Sequence, residues 1–404
     1  MNRTGTAERV NGMTMQQSLK AIKAALDHAK RICLFGVGVL LDDCFDQLVL
    51  SIGREPDFLC DNDKGKWGVE FLGKKCISPA ELGRLREDTA VIITVKSYED
   101  IYQQLTRMGM KDVFVCCYDR CYNTLHAIKR LEDDRVGAST QEHLTVQVRG
   151  KWTLVTGATR GVGLQIALGM AKLGSNIIAH SRSISHAQEI VETGSALGVQ
   201  VVPIAAELSN LTEVETMLSD LEHLVPRVDI LFNNAAIPCS SGFWSASSED
   251  YLGCFMVNTV APIRICQRLI PPMIQRGFGR VINITSSVQK RPDVMAYACS
   301  KAALDKFVYD LTPSLRNTGV MVTLADPGWV RTDMTGFNAP HAVESVIPGA
   351  LLGALLEGEI NGHWFSVQDY SGLSIETALG KARFLSASLP EAKNTLDLKH
   401  GEVV

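Results

Sequence analysis

The sequence predicts an α/β chain made of two doubly wound parallel-sheet domains in succession. Three observations carry that prediction. Short apolar runs bounded by turn residues recur along most of the chain, and stretches with helical apolar spacing separate them. One polar, unpatterned stretch, LEDDRVGASTQEH from 131, interrupts the alternation and reads as a linker. The length of 404 residues suits two or three domains. The expected division is a disordered tail over 1–14, a small domain over 15–130, a linker over 131–148, a large domain over 149–385 and a C-terminal tail over 386–404.

In chain order, Thr14 is placed to cap a helix whose apolar positions Met15, Leu19, Ile22 and Leu26 share one face. A strand ICLFG follows, with Gly36 and Gly38 after it. Then come DFLCDND, a short ISPAEL, VIITVKS, a helix from Tyr98 to Met108, and VFVCC. That is five short strands with helices between them. Gly36 and Gly38 supply the first two glycines of a dinucleotide turn, but Leu41 stands at the third place. From Gly150 the pattern sharpens. WTLVTGATRGVG reads as a strand, a glycine turn and a helix beginning near Leu164. NIIAHSRS, VQVVPIAAEL and VDILFNNAA supply strands two to four. A helix from Tyr251 to Ile274 carries Asn258. RVINI is the fifth strand, VMVTLADPGWV the sixth and HWFSV the seventh.

Chemistry concentrates between Arg280 and Lys301. Ser286 and Ser287 fall where the fifth strand ends, the edge at which open α/β sheets hold ligands. Tyr297 and Lys301 are four apart on a helical pattern and share a face. An adjacent ammonium favours a phenolate. Bringing a tyrosine from its ordinary value to neutrality takes roughly 4 kcal/mol, which a lysine and a cationic nicotinamide together are expected to supply. Gly157, Gly161 and Gly163 let backbone approach a pyrophosphate, and the helix that follows offers free N–H groups to it.

Composition narrows the function classes. The net charge of −4 gives no general attraction to nucleic acid or anionic membrane. No export signal opens the chain, and no apolar run is long enough to span a bilayer. Eleven scattered cysteines then point to free thiols in a cytoplasmic protein. Cys116, Cys117 and Cys121 cluster without the partners that a zinc site needs, so no metal is expected.

Taken together, Thr156-Gly157 through Gly161-Val162-Gly163, Asn233-Asn234-Ala235-Ala236, Asn258, Ser286, Tyr297 with Lys301, and Pro327-Gly328 with Thr332 resemble the short-chain dehydrogenases/reductases in their compact, non-extended form. The resemblance spans roughly 150–369 and implies a seven-stranded Rossmann-like fold. The Ser286 to Tyr297 interval is shorter than the family's usual one. Ser286 is the better match because it ends the strand in register, with Ser287 as the alternative. The family pattern implies Tyr297 as general acid in carbonyl reduction, Lys301 on the phenolate and the nicotinamide ribose, Ser286 on the carbonyl oxygen, and Asn258 fixing a relay water. It implies cofactor contacts from Gly157, Thr159, Arg160, Gly161, Val162, Gly163, Asn234, Ala235, Ala236, Tyr297, Lys301, Pro327, Gly328, Val330 and Thr332, and from Glu207 and Leu208 beside adenine.

Ser181 and Arg182 end the second strand where an acidic residue would select NAD(H), and Arg160 lies in the glycine turn. Two guanidinium groups and a hydroxyl suit a 2′-phosphate, so NADP(H) is expected over NAD(H). On the substrate side, Ser286, Gln289, Lys290, Arg291 and Trp329 are candidate contacts, the two cations suggesting an anionic substrate. Phe243, Trp244, Met295, Trp329 and Phe337 are candidates for an apolar wall. The segment 332–348 reads as a lid.

The front domain resembles the small Rossmann-like domains of bacterial surface-sugar enzymes, through the Gly36/Gly38 turn, Asp61-Asn62-Asp63 and the run from Gly68 to Gly73. That implies a sugar or phosphosugar carbonyl or alcohol as substrate in polysaccharide synthesis. A 3-oxoacyl-thioester (acyl-carrier-protein type) reductase is the alternative enzyme. A non-catalytic NADP(H)-binding sensor or scaffold is the alternative of another class. A homo-oligomer, dimer or tetramer, is what the family implies.

Overall fold

The computed structural model describes residues 26–95, 98–119, 124–131, 148–239, 241–288, 291–358 and 360–386. They fall into two compact units, the first within 26–131 and the second within 148–386.

In the first unit a strand β1 (Arg31–Phe35) leads through Gly36–Gly38 into helix α1 (Val39–Ile52). Then follow β2 (Phe58–Cys60), β3 (Glu70–Phe71), β4 (Lys74–Ile77), α2 (Pro79–Arg84), β5 (Thr89–Ile93), α3 (Tyr98–Arg107), β6 (Val113–Asp119) and β7 (Thr124–Arg130). The sheet order is β3-β4-β2-β1-β5-β6-β7. Its centre is parallel, and its two edge pairs, β3 with β4 and β6 with β7, are antiparallel. The sheet therefore has seven strands where five were expected. β3 is only two residues long, between turn glycines, and TLHAIKR in β7 is too mixed in polarity to stand out. ISPAEL is strand only at Ile77, where β4 ends, and the rest of it is helical. Ser78 accepts from Glu81 N while Glu81 accepts from Ser78 N, a capping box that with Pro79 starts α2. The helix expected from Thr14, except for its last turn at 26–28, lies outside the described residues, as do most of the expected linker and both tails.

The second unit carries β8 (Trp152–Val155), α4 (Gly161–Lys172), β9 (Asn176–Ser181), α5 (Gln188–Ala196), β10 (Val201–Ala205), α6 (Leu211–Leu224) and β11 (Ile230–Asn233). After these come α7 (Ser248–Phe255), a π-helical turn (Met256–Val260), α8 (Ala261–Gln275), β12 (Gly279–Ile284), α9 (Met295–Leu315), β13 (Val320–Asp326), α10 (Leu352–Leu355), β14 (Trp364–Ser366) and α11 (Ile375–Ser386). The sheet order β10-β9-β8-β11-β12-β13-β14 is parallel throughout. The order reverses between β8 and β11, and a crevice opens at the carboxyl ends there.

Strands buried on both faces explain the continuous apolar runs. One face packs Ile166, Met170, Leu351, Leu355, Phe365 and Leu379. The other packs Leu218, Leu269, Met273, Val308 and Val322. Burying each such side chain contributes about 2 kcal/mol, so these layers hold the strand ends in fixed register. Among the described residues no helix is long and apolar enough to cross a membrane, and no three metal-ligating side chains gather. Ten of the cysteines are described, all as free thiols.

Candidate active site

The glycine turn follows β8. Gly157 has φ +66° and Gly161 φ +57°, backbone that favours glycine. A Cβ on Gly163 would lie 2.1 Å from the Gly157 carbonyl oxygen, so only glycine fits where α4 meets the turn. The helix starts at Gly161, three residues earlier than its apolar pattern suggested, with Arg160 at its N-cap and no side-chain cap bond. Its first N–H groups are therefore left without a side-chain cap.

The turn is held from behind. Thr156 Oγ1 accepts from Asn234 N at 2.9 Å and Ala235 N at 3.0 Å, and Asn234 Nδ2 donates to the Thr156 carbonyl at 2.9 Å. Thus Asn234 and Ala235 shape the turn, and Asn233 braces β11 to β12 through Asn283 at 2.9 Å. A residue the sequence reading missed, His180, completes the support. It is buried at the end of β9, accepts from Gly157 N at Nδ1 (3.2 Å) and donates from Nε2 to the Ala206 carbonyl (3.1 Å). Burial pushes its pKa down to about 4, so it is neutral at physiological pH.

Ser286 and Tyr297 are neighbours, and the serine side chain acts on the phenol to lower its pKa. Burial dominates, however. With Asp326, Cys254 and Asp305 nearby, the phenol is pushed up to about 12. The expected depression by lysine is thus not found in the polypeptide alone. Lys301 is buried and its Nζ donates to the Ile284 carbonyl at 2.7 Å. Burial pulls its own pKa down to about 8, and Asp305 and Asp326 oppose that. Ser287 is exposed and its backbone N–H donates to Asp326, whereas Ser286 is the serine that acts on Tyr297.

Asn258 lies in the π-helical turn. Its Oδ1 accepts from Ile237 N at 2.9 Å, and its Nδ2 donates to the Ile237 carbonyl at 3.1 Å and to Ser300 Oγ at 3.0 Å. The extra residue of the π turn presents this amide to the loop after β11.

Other expected residues are placed differently. Ser181 Oγ donates to the Ser183 carbonyl at 2.6 Å, and Arg160 pairs with Asp333 at 2.6 Å. Arg182 is exposed, with no ion pair among the described residues. Glu207 Oε1 accepts from Ser209 N (3.1 Å) and Oγ (3.0 Å), capping its own loop, while Leu208 is core. Arg291 forks onto Asp293 at 2.8 and 2.6 Å, which engages the guanidinium expected to meet an anionic substrate. Gln289 and Lys290 lie outside the described residues.

Thr159 sits within the glycine turn and Val162 packs against the core. Pro327 accepts from Gln368 Nε2 at 2.8 Å, and Thr332 lies 3.3 Å from where a Gly161 Cβ would stand. Val330 is buried and bridges His341. The segment expected as a lid is tied at its base by Arg331 N to the His341 carbonyl at 2.9 Å and coils into two short turns, Asp333–Thr335 and Val343–Val346. The aromatics do not form a closed pocket wall. Trp244 is 94% exposed, and Phe243, Trp329 and Phe337 are more than half exposed, with Phe243 and Trp244 stacked edge to face.

A half-buried Ser286 at the end of β12, a half-buried Tyr297 and a buried Lys301 on α9 lie in the same unit as a glycine turn and a helix without a side-chain cap, the parts that a pyridine-nucleotide oxidoreductase needs. The short chain dehydrogenase family model matches residues 151–342. The 3-oxoacyl-[acyl-carrier-protein] reductase FabG of Aquifex aeolicus is 31% identical over 195 residues, covering 48% of this chain and 79% of that protein. Ketoacyl reductase HetN of Nostoc sp. is 29% identical over 226 residues, covering 52% and 79%. Among solved structures, a 3-oxoacyl (acyl-carrier-protein) reductase from Agrobacterium tumefaciens with NADP bound superposes at TM-score 0.51 and 25% identity, covering 56% of this chain and 97% of the other. The chain belongs to the short-chain dehydrogenase/reductase family and is an NAD(P)-dependent oxidoreductase.

Proposed function

We propose that this chain interconverts a ketone or aldehyde and an alcohol, using NADP(H) in preference to NAD(H). The observation that carries the reading is the Ser286 side chain beside the Tyr297 phenol, with Lys301 buried one helical turn away and bonded to the end of β12. The glycine turn fits a dinucleotide. Its N–H groups are uncapped, and Gly163 leaves no room for a side chain. Gly157, Gly161 and the α4 N-terminus would hold the pyrophosphate, and the Pro327–Gly328 turn with Thr332 would take the nicotinamide end. The cofactor, when bound, supplies or accepts the hydride.

The chain's own groups handle the proton. A phenol pushed up to about 12 stays protonated at neutral pH and is ready to donate as negative charge develops on the carbonyl oxygen. Ser286 donates to the same oxygen and stabilises it. Lys301, still largely an ammonium near neutrality, offsets the phenolate that remains. Asn258 holds the loop after β11 against α9 and keeps the tyrosine helix in place.

The cofactor preference rests on Arg182, which is exposed and has no ion pair among the described residues, and on Arg160. The Arg160–Asp333 pair is 68% and 52% exposed, so its release costs little and frees a second guanidinium for a 2′-phosphate. On the substrate side, the exposed Phe243 and Trp244 sit on the segment whose backbone is bonded to Pro292, just before Tyr297. That favours a substrate with an apolar body, and a 3-oxoacyl thioester is the second reading, in keeping with the relatives' names. The phosphosugar reading rests on the first unit's resemblance and on Arg291, whose exposed pair with Asp293 is released as readily as that of Arg160; Lys290 lies outside the described residues.

The test is NADPH consumption with aryl ketones, short 3-oxoacyl thioesters and keto-sugars. Turnover of the first two classes is expected. Turnover confined to charged keto-sugars would overturn the substrate reading.

A further inference from the structure

The C-terminal residue of β13 is an acid at the end of an apolar strand. Asp326 is 8% exposed. Its Oδ2 accepts from Ser287 N at 3.2 Å and its Oδ1 from Gly328 N at 3.0 Å. One carboxylate thus joins the loop that carries Ser286 to the turn that carries Pro327 and Gly328. A buried carboxylate with two amide donors remains costly unless a cation faces it.

Its charge acts on two groups of α9, Tyr297 and Lys301. Around those two stand Asp305 of α9, Ser286 after β12 and Cys254 of α7. Lys301 is the only cation among them. Asp305 is bonded to Thr285 Oγ1 at 2.5 Å, which directs that carboxylate to the strand end.

We propose that Asp326 is a positioning residue of this active site: its carboxylate braces the Ser286 loop against the Pro327–Gly328 turn and supplies the fixed negative charge opposite the Lys301 ammonium. The brace sets the distance between the proton donor's partner and the nicotinamide-side turn. The charge keeps Lys301 protonated in a dry site, and it also disfavours the phenolate, so Tyr297 holds its proton until the carbonyl oxygen takes it. This inference rests on the proposed roles of Tyr297 and Lys301.

The experiment reads the tyrosine directly. Enzyme labelled with 13C at the tyrosine ζ carbon is titrated by NMR in the presence of saturating NADP+, and the resonance lost in Tyr297→Phe assigns the residue. In Asp326→Asn the Tyr297 titration is expected to move down by about one pH unit. In Asp326→Glu, which keeps the charge but not the two short contacts, it stays near the wild-type position while turnover falls. Asp326→Ser is a smaller uncharged variant for use if the asparagine form does not fold, and carries the same expectation. An unchanged Tyr297 titration in the uncharged variants would reduce Asp326 to a turn brace and overturn the proposal. Full turnover by Tyr297→Phe is a different failure, because it removes the tyrosine assignment itself.

Discussion

His180 offers a sharp test of how the cofactor turn is built. Neutral imidazole is required there, since Nδ1 must accept from Gly157 N while Nε2 donates to Ala206. Protonation would set an N–H against an N–H and break the turn. The folded-state pKa, about 4, lies below the ordinary value of 6.5. The unfolded chain therefore takes up this proton first. Stability is full above pH 6.5 and is lost as pH falls toward 4. The difference is worth about 3 kcal/mol in total, of which about 2 kcal/mol is lost by pH 5. Urea denaturation of the cofactor-free enzyme at pH 7 and pH 5, compared between wild type and His180→Gln, isolates the effect from the carboxylates that titrate in the same range. The variant should be less stable at pH 7, but should lose about 2 kcal/mol less than wild type on acidification. Equal losses in the two proteins would show that His180 is not the buried neutral acceptor described here.

Two further outcomes follow from the cofactor end of the crevice. Gly163→Ala puts a methyl group 2.1 Å from the Gly157 carbonyl oxygen, so NADPH affinity measured by fluorescence titration should fall at least tenfold, equivalent to about 1.4 kcal/mol, while the fold persists. Arg182→Ala should raise the KM for NADPH about tenfold and leave that for NADH nearly unchanged; equal effects on both would remove the 2′-phosphate contact.

The sequence disclosed the second sheet well because its strands are apolar on both faces and each ends at a visible turn, as WTLV ends at Thr156-Gly157 and RVINI at Thr285-Ser286. Side-chain identity also marked the tyrosine, the lysine and the serine, since their spacing is set by one helix and one strand. What stayed hidden depends on contacts between distant segments. His180 looked like an interruption in NIIAHS, and only the approach of Gly157 and Ala206 gives it two partners. Asp326 was visible as a charge ending an apolar strand, but its reach to Ser287 and Gly328 is a tertiary fact. The phenol's proton affinity in the polypeptide alone was hidden for the same reason: helical spacing shows the Lys301 ammonium, not the burial, Asp326 and Asp305 that raise the phenol. In the first unit, β3 and β7 were missed because very short or mixed-polarity strands carry little periodicity.

The most direct measurement pairs turnover with cofactor binding in Tyr297→Phe. Loss of the phenol proton should cut kcat for NADPH-dependent carbonyl reduction by about a thousandfold, while calorimetry finds the NADPH Kd within a fewfold of wild type. A variant that reduces its carbonyl substrate at the wild-type rate would contradict the assignment of Tyr297 as the proton donor.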